Sequence, residues 1–155
     1  FFMPKTSYNI LAVCLGNICR SPIAHGLIEH HALRLSLNVE VDSAGTIDHH
    51  SGNHPDSRSI ALMNQNNIDI SNQRSRIFCR EDFERFDLIL AMDKQNLLDL
   101  HSLARNDDER KKVKLVLGEA DVPDPYYGGN EGFENVYNLL NQSIPNWLEL
   151  SETQH

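Results

Sequence analysis

Short apolar runs limit the folds open to this chain more than any other feature of its sequence. The first run, YNILAV at residues 8–13, is too short for a helix, and it is too continuously apolar for a strand with one solvated face. It therefore predicts a strand buried on both faces, which is typical of parallel sheets covered by helices. Further short strands are predicted at residues 39–42, 87–91 and 113–117.

Helical patterns alternate with these strands. They are predicted from Pro22 onward, over about residues 56–66 and 93–104, and from Phe133 onward. Ser21 is expected to be the N-cap of the first helix, with Pro22 as its first residue. Strands that alternate with helices predict an α/β fold: a doubly wound, four-stranded parallel sheet flanked by helices on both faces.

Two segments contain too much Gly, Pro, Asn and Asp for regular structure. They are residues 43–55, which are long for a simple connection, and residues 121–132, which read DVPDPYYGGNEG. Doubly wound sheets bind ligands at the carboxyl ends of their strands, so functional residues are expected in the loops that follow strands. Pro145 is expected to kink or interrupt the last helix.

Composition restricts the partners and the compartment. Asp and Glu number 22 against 14 Lys and Arg, and the formal charge of −8 argues against a non-specific binder of nucleic acid or of anionic membranes. Three cysteines, two of them in one short segment, are not a secreted disulfide framework. No apolar run approaches the roughly 18 to 20 residues of a membrane span, and no targeting segment is evident. We therefore expect a cytoplasmic protein without membrane contact, with residues 3–155 as a single domain that starts at Met3.

The segment CLGNICRS at residues 14–21 joins the first strand to the first helix, where a doubly wound sheet places its anion-binding loop. Backbone amides around Gly16 and the helix N-terminus can form a nest for a tetrahedral oxyanion. The same positive environment favours the thiolate of Cys14, which is then a nucleophile. Arg20 can hold two phosphoryl oxygens in a fork, and Ser21 can hydrogen-bond the leaving thiolate. This spacing predicts a loop that binds one phosphoryl group, and Cys14 in that loop would attack its phosphorus without the help of a metal ion.

The other two cysteines allow more than one interpretation. Cys19 lies five residues after Cys14 and is either a packing residue or the partner of a reversible disulfide with Cys14. The disulfide predicts that dithiothreitol reverses inactivation by peroxide and that Cys19→Ser makes this inactivation harder to reverse. Cys79 is followed by charged residues, has no partner in view, and is expected to be inert.

Displacing an alkoxide or phenoxide from phosphorus requires a general acid, and residues 14–21 contain none. Asp124 lies between two prolines in the loop after the fourth predicted strand, and therefore on the same rim of the sheet. We predict that Asp124 is this acid, although an Asp-Pro pair is often only a turn. Tyr126 and Tyr127 follow it as pocket-wall or core aromatics.

Taken together, these segments resemble the low molecular weight protein tyrosine phosphatases. VCLGNICRSPIA at residues 13–24 is similar to that family's signature, and DPYYG at residues 124–128 is similar to its acid loop. The family's order also holds for VDSAGT at residues 41–46, HPDSR at residues 54–58 and FDLILAMD at residues 86–93. The resemblance covers nearly the whole chain from Met3 and implies the same four-stranded parallel sheet flanked by helices.

The resemblance also implies residue roles. Cys14 would form a cysteinyl-phosphate, Arg20 would clamp the phosphate, and Asp124 would act as acid and then activate water. Asn17 and Ser21 would shape the loop by hydrogen bonds, together with Ser43. The predicted substrate-binding residues are Leu15, Gly16, Asn17, Ile18, Cys19, Ser21, His49, Tyr126 and Tyr127.

Two positions depart from the family pattern. His49 stands where many bacterial members have Trp, so an aromatic wall that would stack on a phosphotyrosine ring is missing, although a protonated His49 could help to hold phosphate. The segment SNQR at residues 71–74 lacks the His that many members carry shortly before an Arg. Asn72 or Gln73 is a candidate to replace that His in the loop network.

Three other functions would use parts of the same sequence. The eight histidines could form a metal site, but the spacing of His25, His30 and His31 does not place all three on one helix face. Arsenate reduction would use a similar nucleophile loop, but it needs a cysteine relay and Cys79 stands alone. A phosphate-binding or redox-sensing module without catalysis would require the loss of a key group, and the candidate nucleophile, clamp and acid are all present.

The sequence therefore predicts a metal-independent phosphomonoester hydrolase. Its expected substrates are phosphotyrosine in proteins or small aryl phosphates, and its expected intermediate is a phosphocysteine. No cofactor is expected. Inorganic phosphate and vanadate are expected to inhibit competitively because they would occupy the same oxyanion site.

Overall fold

The structure, a computed structural model, describes residues 7–152, so the predicted domain limits at residues 3 and 155 and the start at Met3 lie outside the described residues. The four strands are β1 (Tyr8–Cys14), β2 (Val39–Gly45), β3 (Leu88–Ala91) and β4 (Val113–Leu115). They form one sheet in the order β2-β1-β3-β4, and every pair is parallel. The predicted four-stranded parallel sheet is confirmed.

Helices pack on both faces of the sheet, as predicted. They are α1 (Arg20–Arg34), α2 (Ser57–Gln65), α3 (Asp82–Arg85), α4 (Lys94–Leu103), α5 (Asp107–Lys112) and α6 (Asn130–Glu152). Ile10 and Ala12 of β1 pack with α1, α2 and α6 in one core cluster. Leu11 and Val13 point to the other face and pack with α3 and α4. All four side chains are fully buried, which explains why β1 reads as a continuous apolar run.

Several predicted boundaries are wrong. The strand β2 continues to Gly45, so the loop predicted from residue 43 begins later, and β4 ends at Leu115 rather than at residue 117. The short helices α3 and α5 were not predicted. The helix α6 continues through Pro145 without interruption, because Ile144 and Leu148 on either side of the proline are fully buried in the core.

The start of α1 also differs from the prediction. The helix begins at Arg20, with Cys19 at the N-cap position and no side-chain capping bond, so Ser21 is its second residue and not its N-cap. The Ser21 hydroxyl instead lies beside the sulfur of Cys14. A side chain committed to that sulfur is not available to cap the helix.

The topology fixes where a ligand can bind. Because β1 lies between β2 and β3, the direction in which the chain adds strands reverses at β1, and the crevice at such a switch point is the usual ligand site of open α/β sheets. Residues 15–19 leave the carboxyl end of β1 at this crevice and lead into α1. The Val122 amide donates to the carbonyl of Met92, which brings the loop after β4 to the end of β3.

Among residues 7–152, no helix is both long and apolar enough to cross a membrane.

Candidate active site

Cys14, the last residue of β1, lies at the floor of a surface pocket with only 3% of its surface exposed. Its Sγ accepts a hydrogen bond from the Asn17 amide at 3.2 Å and lies 3.1 Å from the Ser21 hydroxyl oxygen. The Asn17 side-chain amide donates to that same hydroxyl oxygen at 2.8 Å, which leaves the Ser21 hydroxyl hydrogen for the sulfur. Two hydrogen-bond donors are therefore directed at this one sulfur.

The nucleophile loop, residues 14–21, is held from outside through its carbonyl groups. The carbonyls of Cys14 and Leu15 accept from the amides of Thr46 and Ile47, and the Gly16 carbonyl accepts from the Ser75 hydroxyl. Among the residues that the structure describes, no acceptor contacts the amides of Gly16, Ile18 and Cys19. Loop amides without a protein partner, next to the N-terminus of α1, are the nest that an oxyanion requires.

Asn17 has the left-handed backbone conformation that the tight loop needs, with φ at 58°. Asparagine tolerates this conformation better than most residues. Its Oδ1 accepts from the Arg76 amide at 3.1 Å, which fixes the orientation of the amide group that contacts Ser21. The loop also passes close to Gly45, where a Cβ atom would lie 2.8 Å from the Leu15 carbonyl oxygen. A glycine is therefore required at the end of β2 for the loop to close.

Arg20 is buried at the first turn of α1 and is held by two partners. Its Nη1 donates to Asp93 Oδ2 at 2.6 Å and to the Val122 carbonyl at 2.9 Å. Burial alone would lower the pKa of Arg20, but the sulfur of Cys14 and the carboxylate of Asp93 outweigh it and raise that pKa above its usual value. Asp93 is itself fixed, because its Oδ1 caps α4 through the Asn96 amide. The guanidinium is thus a permanent, oriented positive charge beside the sulfur.

The loop after β4 carries Asp124 to the rim of the same pocket. Val122, at the start of this loop, is fully buried, whereas Asp124 is exposed. The Asp124 carboxylate accepts from the Tyr126 amide at 3.0 Å, and the Gly128 amide donates to the Pro125 carbonyl at 3.0 Å. These two turns hold the carboxyl group of Asp124 above the crevice that contains Cys14.

Ring systems form the walls of the pocket. The rings of His49 and His50 meet edge to face with centroids 5.0 Å apart, and those of Tyr126 and Tyr127 meet in the same way at 4.9 Å. His50 also lies 6.3 Å from Tyr126, so the two pairs approach each other across the opening. Tyr127 is 94% exposed, which makes it a rim residue and not a core aromatic.

The structure brings ten of the twelve predicted site residues around one pocket. The residues that line it are Cys14, Leu15, Gly16, Ile18, Cys19, Arg20, Ile47, His49, His50, Asp124, Tyr126 and Tyr127. The predicted residues Asn17 and Ser21 do not line it, and they lie buried beneath it against the Cys14 sulfur. Ile47 and His50 also line the pocket and were not predicted as site residues. A signal for His50 was its neighbour His49, but a loop has no regular period from which to predict that both rings line the pocket.

Two expected members of the loop network have other partners. The Ser43 hydroxyl contacts His25 Nδ1 at 3.2 Å, and no bond from this hydroxyl to the loop is found among the described residues. Gln73 donates to the Pro22 carbonyl at 3.2 Å, at the start of α1, while the Arg76 amide holds Asn17. Asn72 is exposed. A backbone amide of Arg76 therefore performs part of the positioning for which side chains were predicted.

Of the three cysteines, Cys14 and Cys19 line the pocket, whereas Cys79 is exposed and lies outside it. Partial desolvation of its thiol, followed by the nearby Asp82 carboxylate, raises the pKa of Cys79. Within residues 7–152 no three His, Cys, Asp or Glu side chains come together in a group that could hold a metal ion.

Comparisons with known proteins agree with this geometry. The family model "low molecular weight phosphotyrosine protein phosphatase" matches residues 9–154. The low molecular weight phosphotyrosine protein phosphatase of Homo sapiens is 41% identical over 142 residues, which cover 86% of this chain and 89% of that protein. The crystal structure of protein tyrosine phosphatase from Entamoeba histolytica, with Hepes in the active site, has a TM-score of 0.89 and a sequence identity of 32%. The match covers 96% of this chain and 99% of that chain. The structure of Vibrio vulnificus Wzb in complex with benzylphosphonate has a TM-score of 0.83 and an identity of 30%. The match covers 92% of this chain and 97% of that chain.

Proposed function

The chain belongs to the low molecular weight phosphotyrosine protein phosphatase family, and we propose that it hydrolyses phosphotyrosine and other aryl phosphomonoesters by two displacements through a phosphocysteine at Cys14. The observation that carries the mechanism is the Cys14 sulfur, which contacts the Asn17 amide and the Ser21 hydroxyl at the floor of a pocket lined by its own loop. The Gly16, Ile18 and Cys19 amides of that loop have no acceptor among the described residues. These amides and Arg20 would bind the dianionic phosphoryl group and stabilise the charge that develops on its equatorial oxygens.

In the first step the Cys14 thiolate attacks phosphorus. A sulfur–phosphorus bond forms, the bond from phosphorus to the aryl oxygen breaks, and protonated Asp124 transfers its proton to that oxygen so that a phenol leaves. In the second step the Asp124 carboxylate removes a proton from water. The water oxygen bonds to phosphorus, and the thiolate leaves, stabilised again by the Ser21 hydroxyl and the Asn17 amide.

The pocket walls support an aryl substrate. The rings of His49, His50, Tyr126 and Tyr127 surround the opening and can contact a flat leaving group. A benzylphosphonate, which joins a phenyl ring to a phosphonate, is the ligand of Vibrio vulnificus Wzb. In this chain an aryl phosphate would place its phosphoryl group against the loop amides and its ring between these side chains.

The experiment that tests the proposed function is hydrolysis of para-nitrophenyl phosphate in excess chelator. We expect full activity, because Arg20 and the loop amides supply the charge stabilisation that a metal ion would otherwise provide. Inorganic phosphate and vanadate should inhibit competitively. An enzyme that loses its activity in chelator and regains it with a divalent cation would contradict the mechanism.

We further propose that Cys19 protects Cys14 from irreversible oxidation. Burial, together with the carboxylate of Asp56, raises the pKa of Cys19, so it remains a thiol. Cys19 and Cys14 line the same pocket. Peroxide would convert the Cys14 thiolate to a sulfenic acid, and the Cys19 thiol would then displace water from it to form a disulfide. A reducing thiol would restore both side chains.

This proposal predicts that Cys19→Ser recovers less of its own initial activity than the unmodified protein does after peroxide and then dithiothreitol. Without Cys19 the sulfenic acid is exposed to further oxidation that dithiothreitol does not reverse. Cys79→Ser, which changes an exposed cysteine outside the pocket, is the matched control and should recover fully. Equal recovery in Cys19→Ser and the unmodified protein would eliminate the disulfide.

A further inference from the structure

Arg58, in the first turn of α2, contacts the loop that carries Asp124. Its Nη2 donates to the Tyr126 carbonyl at 2.8 Å, and its Nη1 donates to the Gly128 carbonyl at 3.0 Å. These two carbonyls lie two and four residues after Asp124. One guanidinium group therefore holds the segment of backbone that directly follows the proposed acid.

The guanidinium is itself held on its other edge. Nε and Nη2 of Arg58 donate to the two carboxylate oxygens of Asp56 at 3.0 and 2.9 Å, which is a two-bond fork. The plane of the group lies over the Phe133 ring, with the central carbon 4.5 Å from the ring centroid. Phe133 is buried in the core, so Arg58 is fixed by the Asp56 carboxylate at its edge and by a buried aromatic ring against its face.

Asp56 connects this clamp to the nucleophile loop. Its backbone amide donates to the Ile18 carbonyl at 2.8 Å, and Ile18 lies in the middle of that loop. The pKa of the Asp56 carboxyl is lowered, mainly because Arg58 donates hydrogen bonds to it, so the pair stays charged at mildly acidic pH. The contacts run from the nucleophile loop through Asp56 and Arg58 to the acid loop.

From this geometry we infer that Arg58 is a positioning residue for the proposed general acid. It fixes the height of the Asp124 loop above the Cys14 sulfur without touching the phosphoryl group. The inference rests on the proposed function, because it assigns Arg58 an effect only through the proton that Asp124 donates. Truncation of Arg58 should therefore slow only those substrates that need this proton, since a small displacement of a catalytic group is enough to lower its effect.

The test compares two aryl phosphates with different leaving groups. Phenyl phosphate releases a basic phenolate that needs a proton, whereas 2,4-dinitrophenyl phosphate releases a stable phenolate that does not. For Arg58→Ala we expect kcat/KM to fall about tenfold with phenyl phosphate and to change by no more than about twofold with the dinitrophenyl ester. The inhibition constant of inorganic phosphate should be unchanged. The ratio of the two rates within one sample does not depend on how much of the protein is folded.

Two further variants separate geometry from charge and from stability. Arg58→Lys keeps the charge but cannot form the fork and the two carbonyl bonds together, so it should show the same selective loss. Arg110→Ala, which removes a surface arginine paired with the exposed Asp107, is the control and should alter neither rate. In the double variant Arg58→Ala/Asp124→Ala, the loss with phenyl phosphate should equal that of Asp124→Ala alone, because the acid that Arg58 positions is already absent.

The outcomes distinguish this inference from the proposed function. If Asp124→Ala slows phenyl phosphate selectively and Arg58→Ala slows both esters equally or neither, the positioning role is wrong and the acid role stands. If the two losses multiply in the double variant, Arg58 acts independently of Asp124 and the inference is also wrong. If Asp124→Ala itself slows both esters equally, the acid role fails and the role of Arg58 fails with it.

Discussion

Cys14→Ser is expected to lose turnover of para-nitrophenyl phosphate by roughly four orders of magnitude or more, the scale seen when the nucleophile of a covalent mechanism is removed. The hydroxyl is nearly the same size as the thiol, so the Asn17 amide and the Ser21 hydroxyl keep an acceptor in the same place. A serine hydroxyl is far less acidic than a thiol, so it does not supply the anionic nucleophile that the proposed first step needs.

The same variant should still bind inorganic phosphate, because the amides of Gly16, Ile18 and Cys19 and the Arg20 guanidinium are unchanged. Steady-state kinetics measures the first effect and isothermal titration calorimetry with phosphate measures the second. Cys79→Ser is the matched control and should retain normal turnover, since Cys79 lies outside the pocket. A Cys14→Ser protein that binds phosphate and still turns over within tenfold of the normal rate would eliminate Cys14 as the nucleophile.

Removal of the Asp124 carboxyl should slow phenyl phosphate hydrolysis by roughly a hundredfold or more, the usual size of general acid catalysis. Two variants separate the proton from the turn. Asp124→Ala removes both the proton and the acceptor of the Tyr126 amide, whereas Asp124→Asn keeps an acceptor oxygen for that amide and removes only the acid. If kcat/KM falls equally in the two variants, the lost proton causes the effect, and the lost hydrogen bond to the Tyr126 amide does not.

Glu119→Gln is the control for the Asp124 variants. Glu119 is exposed, lies between β4 and Asp124, and does not line the pocket. The Glu119→Gln protein should therefore hydrolyse phenyl phosphate at the normal rate. An Asp124→Asn protein with the normal rate on phenyl phosphate would exclude Asp124 as the acid.

The sequence was sufficient to predict features that depend on local spacing. The sheet follows from short apolar runs such as residues 8–13, and the nucleophile loop follows from the distance between Cys14 and Arg20 at a strand-to-helix junction. The position of Asp124 at the same pocket also follows, because the carboxyl ends of parallel strands share one edge of the sheet.

The features that sequence reasoning missed depend on contacts between distant segments. Arg58 meets the carbonyls of Tyr126 and Gly128 across 68 and 70 residues, and no local pattern at residue 58 indicates this partner. The Ser21 hydroxyl fits an N-cap pattern, but the nearby sulfur of Cys14 competes for it and the helix starts earlier. Local rules are overridden in this way where a functional group requires the same side chain.

The central claim is that Cys14 carries the phosphoryl group between the two steps. The most direct measurement mixes Asp124→Asn with excess 2,4-dinitrophenyl phosphate, stops the reaction with a rapid denaturing quench, and locates the modification by peptide mass spectrometry. This ester forms the intermediate without an acid, and the missing base slows its hydrolysis, so one phosphoryl group should be found on Cys14 and none in Asp124→Asn/Cys14→Ser. Release of dinitrophenol with Cys14 unmodified, or with the phosphoryl group on another residue, would contradict the account.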